Sequence, residues 1–258
     1  MSLSETRSAP APLEVRSLLV WGLLAGLVGG VLAFGFATVF GEPSVERAIA
    51  IEESAGGHDH GEHSHEPAVE EESSAVSRGF QATGGLGIGA VAYGLGLGGL
   101  FGLAFAFAYG RIGPLTPRAT ALALAGIGYV SVVLVPFLTY PANPPAVGKA
   151  ETIGERTALY FAMIVISLTL AVGAVIAVRA LAVRLGGWSA TVTAALGYLV
   201  LVTVIATLLP GFHEVPESFP GDVLWEFRVA SLGTSAVLWA GIAVVFAVLL
   251  HRSTVRRV

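Results

Sequence analysis

Cysteine is absent from the 258 residues of the chain. That absence excludes disulfides, thiolate metal sites, covalent haem attachment and cysteine nucleophiles, so any transition-metal chemistry has to use imidazole, carboxylate, thioether or backbone oxygen. Charge is scarce as well: 12% of residues are charged, about half the share of an ordinary soluble domain, which excludes a cytosolic enzyme. Lysine occurs once, at Lys149 in VGKA, without the glycine-rich approach of a phosphate-binding loop, so the chain has no means of hydrolysing ATP. Neither HExxH nor GxSxG is present, and no enzyme activity is expected. With 18 acids against 14 bases, a basic nucleic-acid binder is excluded too.

What the chain has instead is apolar length. Hydrophobic residues make up 54% of it and the mean hydropathy is +0.77. A helix needs roughly 20 apolar residues to cross a hydrocarbon core of about 30 Å, and the uncharged stretches at about 17–40, 84–110, 119–140, 157–178, 188–209 and 229–250 each meet that need. The reading is an all-α membrane protein, a bundle of six transmembrane helices across 17–250 whose first partner is the lipid bilayer. The first stretch outruns a signal-peptide apolar region of about 7 to 15 residues, so it is expected to be a retained span.

Loop charge sets the expected orientation, because cytoplasmic loops collect Lys and Arg. One face would carry nine bases against two acids, and the other five bases against sixteen acids. This places residues 1–16, the basic tail 251–258 and both termini in the cytoplasm of a multi-pass inner (plasma) membrane protein, with loop 41–78 outside. Glycines recur at four-residue spacing at Gly22, Gly26 and Gly30, at Gly85 and Gly89, and at Gly94, Gly98 and Gly102. That spacing suits close helix packing, within the bundle or against a partner.

The long outer loop divides in two. GEPSVERAIAIEE at 41–53 has the pattern of a short amphipathic helix lying on the membrane. The rest is Gly, Ser, Glu and His without apolar period, and it holds His58, Asp59, His60, Glu62, His63, His65 and Glu66, four imidazoles and three carboxylates in nine residues. Two His-x-His pairs in an extended segment can wrap one divalent ion at the roughly 2.0–2.2 Å distances such ligands need. The metal site is therefore expected at His58, Asp59, His60, Glu62, His63 and His65. A solvated acidic segment or a pH sensor stays open at this point, since imidazoles near pKa ~6.5 charge on mild acidification. The second outer loop gathers Pro136, Pro141, Pro144 and Pro145 around Asn143, a rigid connector that cannot continue a helix or, alternatively, the lining of a pathway mouth. The third carries His213, Glu214, Glu217, Asp222 and Glu226 with aromatic anchors, and His213 with Glu214 could extend a metal path. Glu226 and Arg228 read as markers of the membrane interface.

Four phrases together resemble the CbtA family of predicted cobalt transporter subunits: FGEPSVERAIAIEE at 40–53 with the His-rich segment behind it, FLTYPANPPAVG at 137–148, TIGERTALY at 152–160, and VPESFPGDVLWEFRVASLGT at 215–234. The resemblance runs from Leu18 to Leu250. It implies cobalt uptake, a small single-span CbtB partner with its own His motif, and association with cobalamin genes. Carried onto this chain, the family's phrases fall on Glu42, Pro43, Glu46 and Arg47, and on Tyr140, Pro141, Asn143, Pro144 and Pro145. The resulting expectation is a divalent-metal transporter subunit, with cobalt as substrate rather than a permanently bound cofactor, in which the His segment captures the ion. The pathway mouth would be lined by Glu42, Glu46, Asn143, His213 and Glu214. A non-transporting scaffold or accessory subunit, or a metal exporter or sensor, are the alternatives.

Overall fold

The computed structural model describes residues 14–56 and 84–255, and every regular element among them is helical. In chain order these are α1 (Val15–Phe36), α2 (Glu42–Gly56), α3 (Leu86–Ala108), α4 (Pro117–Tyr129), α5 (Val135–Thr139), α6 (Ile153–Leu185), α7 (Gly187–Leu208) and α8 (Gly221–Val255). Six helical segments among the described residues are long and apolar enough to cross a membrane. The chain is a multi-pass membrane protein. One end of the bundle carries Arg16, Arg111, Arg118, Arg179, Arg184 and Arg252. The other carries most of the acids, and the two are called here the arginine end and the acidic end.

Among the described residues, the first and third spans each contain a π-turn that ends two residues before a proline. Ala37–Gly41 joins α1 to α2, with the Glu42 N–H bonded to the Ala37 carbonyl, and Pro43 follows. Val130–Leu134 joins α4 to α5, with the Val135 N–H bonded to the Val130 carbonyl, and Pro136 follows. A proline inside a helix lacks the donor for the i−4 carbonyl and collides with it; a turn widened by one residue moves that carbonyl away and lets the helix run on. Pro136 therefore lies within the third span rather than ending it, and the amphipathic segment at 41–53 grows out of α1 instead of starting anew.

Helices α6 and α8 also run past the apolar stretches read at 157–178 and 229–250. Arg179, Arg184, Asp222 and Glu226 are unwelcome in hydrocarbon but are ordinary helix residues in the headgroup layer and water. At 33 residues, α6 is about 50 Å long at 1.5 Å per residue, well beyond the apolar core. It stops where Gly186 takes a left-handed φ of +75°, and α7 begins one residue later, making a hairpin. At the same end Pro117 opens α4 behind Thr116, whose hydroxyl accepts from the Ala119 N–H at 3.3 Å, a proline-after-cap start.

The glycine spacing finds its purpose between α1 and α3. A Cβ on Gly26 would stand 2.8 Å from the Gly94 carbonyl carbon and 3.0 Å from the Gly98 Cα, and one on Gly98 would stand 2.6 Å from the Gly26 Cα. Gly22, Gly30, Gly94 and Gly102 complete this backbone-on-backbone contact, whereas Gly89 has no atom near its missing Cβ. On the next face Trp239 of α8 presses its ring onto Gly128 of α4. Phe105 meets Phe246 edge-on at 5.1 Å in the core that α1, α3, α4 and α8 share. A second, smaller core around Val135, Tyr140, Met163 and Val202 unites α5, α6 and α7. The third span belongs to both cores, its lower half to the first and its upper half, past the π-turn, to the second.

Candidate functional site at the acidic end

Three segments meet at the acidic end: α2, the proline-rich loop 140–152, and the 209–220 loop with the start of α8. They are joined by a third apolar cluster in which Ala48 and Ile51 of α2 pack with Ala146, Val147, Phe219, Val223 and Leu224. The proline-rich loop bends under two left-handed residues, Ala146 at φ +66° and Gly148 at φ +122°. For alanine that conformation is rare, and it is held by the packing of its neighbours.

The loops are then pinned by polar contacts. Tyr140 donates its hydroxyl to the Pro210 carbonyl at 3.0 Å, tying the two loops together. Glu214 is the hub. Its Oε2 accepts from Arg156 Nη1 at 2.8 Å and from the Lys149 N–H at 3.3 Å, and its Oε1 accepts from the Thr152 hydroxyl. The Glu214 side chain is only 6% exposed. The Thr152 hydroxyl, more than the Lys149 N–H and the Arg156 charge, holds the Glu214 carboxyl below its ordinary pKa, against the opposing effect of desolvation. Beside this hub Arg228, at the start of α8, donates to the Asn143 Oδ1 at 3.0 Å and to the Ala142 carbonyl at 3.3 Å. A cavity of about 50 Å³ lies among Tyr140, Asn143, Arg156, Glu214 and Arg228. A larger one of about 330 Å³ opens on its far side past Phe137, Arg156 and Tyr160. Arg156 lines both.

The residues singled out from the sequence fall into three groups. Asn143 and Glu214 come together at this cavity, each engaged by an arginine. Glu42 opens α2 half-buried, Glu46 lies exposed one turn further on, and His213 is exposed next to Glu214. The capture residues His58, Asp59, His60, Glu62, His63 and His65 lie outside the described residues, and among the described ones no group of three or more His, Asp or Glu is placed to hold a metal ion. Arg47, carried over with the first phrase, pairs with Glu226 and so fastens α2 to α8. Sequence reasoning missed Arg156 and Thr152, and it took Arg228 for an interface marker. For the two arginines the available signal was their sign, because bases are rare on this acid-rich face; Thr152 offered none.

Chemically the arrangement is a closed polar latch. Glu214 Oε2 is engaged by the Arg156 guanidinium, its Oε1 by the Thr152 hydroxyl and the Asn143 carbonyl oxygen by the Arg228 guanidinium, so a cation arriving between them meets two positive groups of the protein. A released Arg156 would still have the larger cavity at its side.

A family model described as "Probable cobalt transporter subunit (CbtA)" matches residues 15–251. No curated protein and no solved structure matches the chain.

Proposed function

This chain belongs to the CbtA family of probable cobalt transporter subunits, and we propose that it works as the metal-capturing membrane subunit of a cobalt uptake system rather than as a catalyst. The observation that carries the reading is the family match over the whole bundle, joined to a segment of four histidines and three carboxylates between α2 and α3. The histidines, with Asp59 and Glu62, concentrate divalent cobalt on the outer side of the inner membrane, with both termini cytoplasmic. Loop charge supports that orientation.

Delivery follows from where α2 lies. It ends at Gly56, two residues before His58, and its inner face packs on the loop that carries Asn143. An ion held by the His segment is thereby tethered near the latch. The ion passes the mouth formed by Glu42, Glu46, Asn143, His213 and Glu214 by competing with Arg156 and Arg228, and the membrane potential contributes about 4.6 kcal/mol per divalent ion for each 100 mV. The two arginines favour a second reading, in which the captured ion is handed to another subunit and this chain serves as its accessory, a CbtB-like protein being one such partner.

Cells carrying the chain with His58, His60, His63 and His65 replaced by alanine test the capture role. At limiting external cobalt they should accumulate less metal than the wild type, and the deficit should vanish when cobalt is abundant. Equal accumulation at limiting cobalt would contradict it.

A further inference from the structure

Among the described residues the first two apolar cores share no member, and no side chain of α6 or α7 enters the first. The third span changes sides at one place: Val132 and Val133 pack in the first core, Val130 and Val135 in the second. That place is the π-turn. Helix α6 makes its main contact with the span at this turn and above it, along α5. Below the turn an open cavity of about 300 Å³ stands between α4 and the α6–α7 hairpin, with Gly126 and Ile127 on one side and Ala171, Ala174, Ala194 and Ala195 on the other. The hairpin is tied within itself, by Ser167 on Tyr198 at 2.7 Å and by Glu214 on Arg156 and Thr152. At the acidic end Arg228 and the third apolar cluster bind it to the rest. At the arginine end Arg179 Nη1 donates to the Arg111 carbonyl at 3.1 Å, in an exposed contact.

We infer that the α6–α7 hairpin is an inner gate, swinging as one body about the π-turn of the third span, and that Arg179 is the clasp that holds its arginine end shut. Helices bend sharply, by more than about 20°, at prolines and π-turns, and Pro136 leaves this turn a carbonyl without its usual donor. From Leu170, which packs in the second core with Val130, to Leu185 is about 22 Å of helix, so a swing of about 20° carries the end of α6 outward by about 8 Å. Across the cavity few van der Waals contacts resist that movement, and α6 and α7 are the least buried of the six spans. With the arginine end cytoplasmic, the swing opens the inner side while the latch keeps the outer side closed. The role as a gate rests on the uptake reading; the swing itself does not.

The chain has no cysteine, so paired spin labels can be placed at will on the purified protein in nanodiscs. Leu122→Cys on α4 with Val183→Cys on α6 measures across the gate. Val15→Cys with Leu122→Cys stays on the first core's helices and Val183→Cys with Leu208→Cys on the hairpin, all at exposed positions. Pulsed dipolar EPR should give two maxima about 8 Å apart for the first pair and one for each control. Arg179→Ala should raise the longer component by about threefold, the scale of one exposed contact. Pro136→Ala, which returns the missing donor, should merge the two maxima. A single distance for the first pair in both the parent and Arg179→Ala, a spread shared by the controls, or two maxima untouched by Pro136→Ala would overturn the proposal. Because the distances are read without metal, a swing without cobalt flux counts against the uptake reading alone, and flux without a swing against the gate alone.

Discussion

Replacing Gly26 by alanine puts a methyl group where α1 touches α3. The added Cβ would lie 2.8 Å from the Gly94 carbonyl carbon and 3.0 Å from the Gly98 Cα, and both of those atoms are helical backbone that cannot swing aside. The Gly94 carbonyl oxygen lies nearer still, so to reach ordinary contact the helices must part locally by about an ångström, a gap that forfeits up to about half of each van der Waals well along the contact. Overpacking of this kind costs about 1–3 kcal/mol, and alanine returns up to about 1 kcal/mol of helix propensity over glycine. Gly89→Ala is the matched control: it lies on the same α3 with no atom within 4 Å of the new methyl, so it keeps the propensity gain without the collision. The two variants should differ by about 1–3 kcal/mol, which for a chain of this size is roughly 2–12 °C in melting temperature. Gly26→Ala with Gly94→Ala should cost less than the sum of the singles, since parting the helices for one methyl makes room for the other. Thermal unfolding in detergent, followed by circular dichroism, is the assay. A Gly26→Ala protein melting at or above Gly89→Ala would refute the account of how α1 and α3 are held.

The latch makes further predictions. Because the carboxyl pKa of Glu214 is lowered in the folded protein, its contribution is present above the ordinary carboxylate range and is lost as pH falls through the lowered value. Amide exchange in loop 140–152 should stay slow from pH 7 to about 5 and accelerate only below the usual carboxylate pKa of ~4.3, and in Glu214→Gln it should be fast at every pH. Gly148→Ala should loosen the same loop by two routes, the φ of +122° that alanine resists and a methyl 2.9 Å from Arg156 Nη1; limited proteolysis near Lys149 reads it. If the arginines guard the mouth, Arg228→Gln should raise the rate of cobalt passage in a transporting complex while leaving capture by the His segment unchanged.

The apolar stretches told most of the architecture, because uncharged length is a local property and the bilayer makes it decisive. The glycines at 22, 26, 30, 94, 98 and 102 announced close packing of their two helices, but not that the two pack on each other. What periodicity could not supply was the pairing across loops. Glu214 meets Arg156 and Thr152 across about sixty residues of chain, and Arg228 meets Asn143 across more than eighty, so one sequence alone shows such charges only as isolated flanks of spans. Pro136 misled for a related reason: a proline signals a break unless the preceding turn widens, and no residue in VSVVL advertises a π-turn. The amphipathic helix at 41–53 was likewise legible, but its docking on Ala146 and Phe219 was not.

The most direct test of the metal-uptake reading is cobalt flux through the purified chain itself. Liposomes holding only this protein, with an inside-negative potential and radioactive cobalt outside, should accumulate the ion, and at low cobalt should accumulate less when the four loop histidines are alanine. Flux that needs a second subunit, with cobalt still retained by the His segment of the intact chain, would assign it the accessory role. Neither flux nor retention of cobalt, alone or with a partner, would contradict the account.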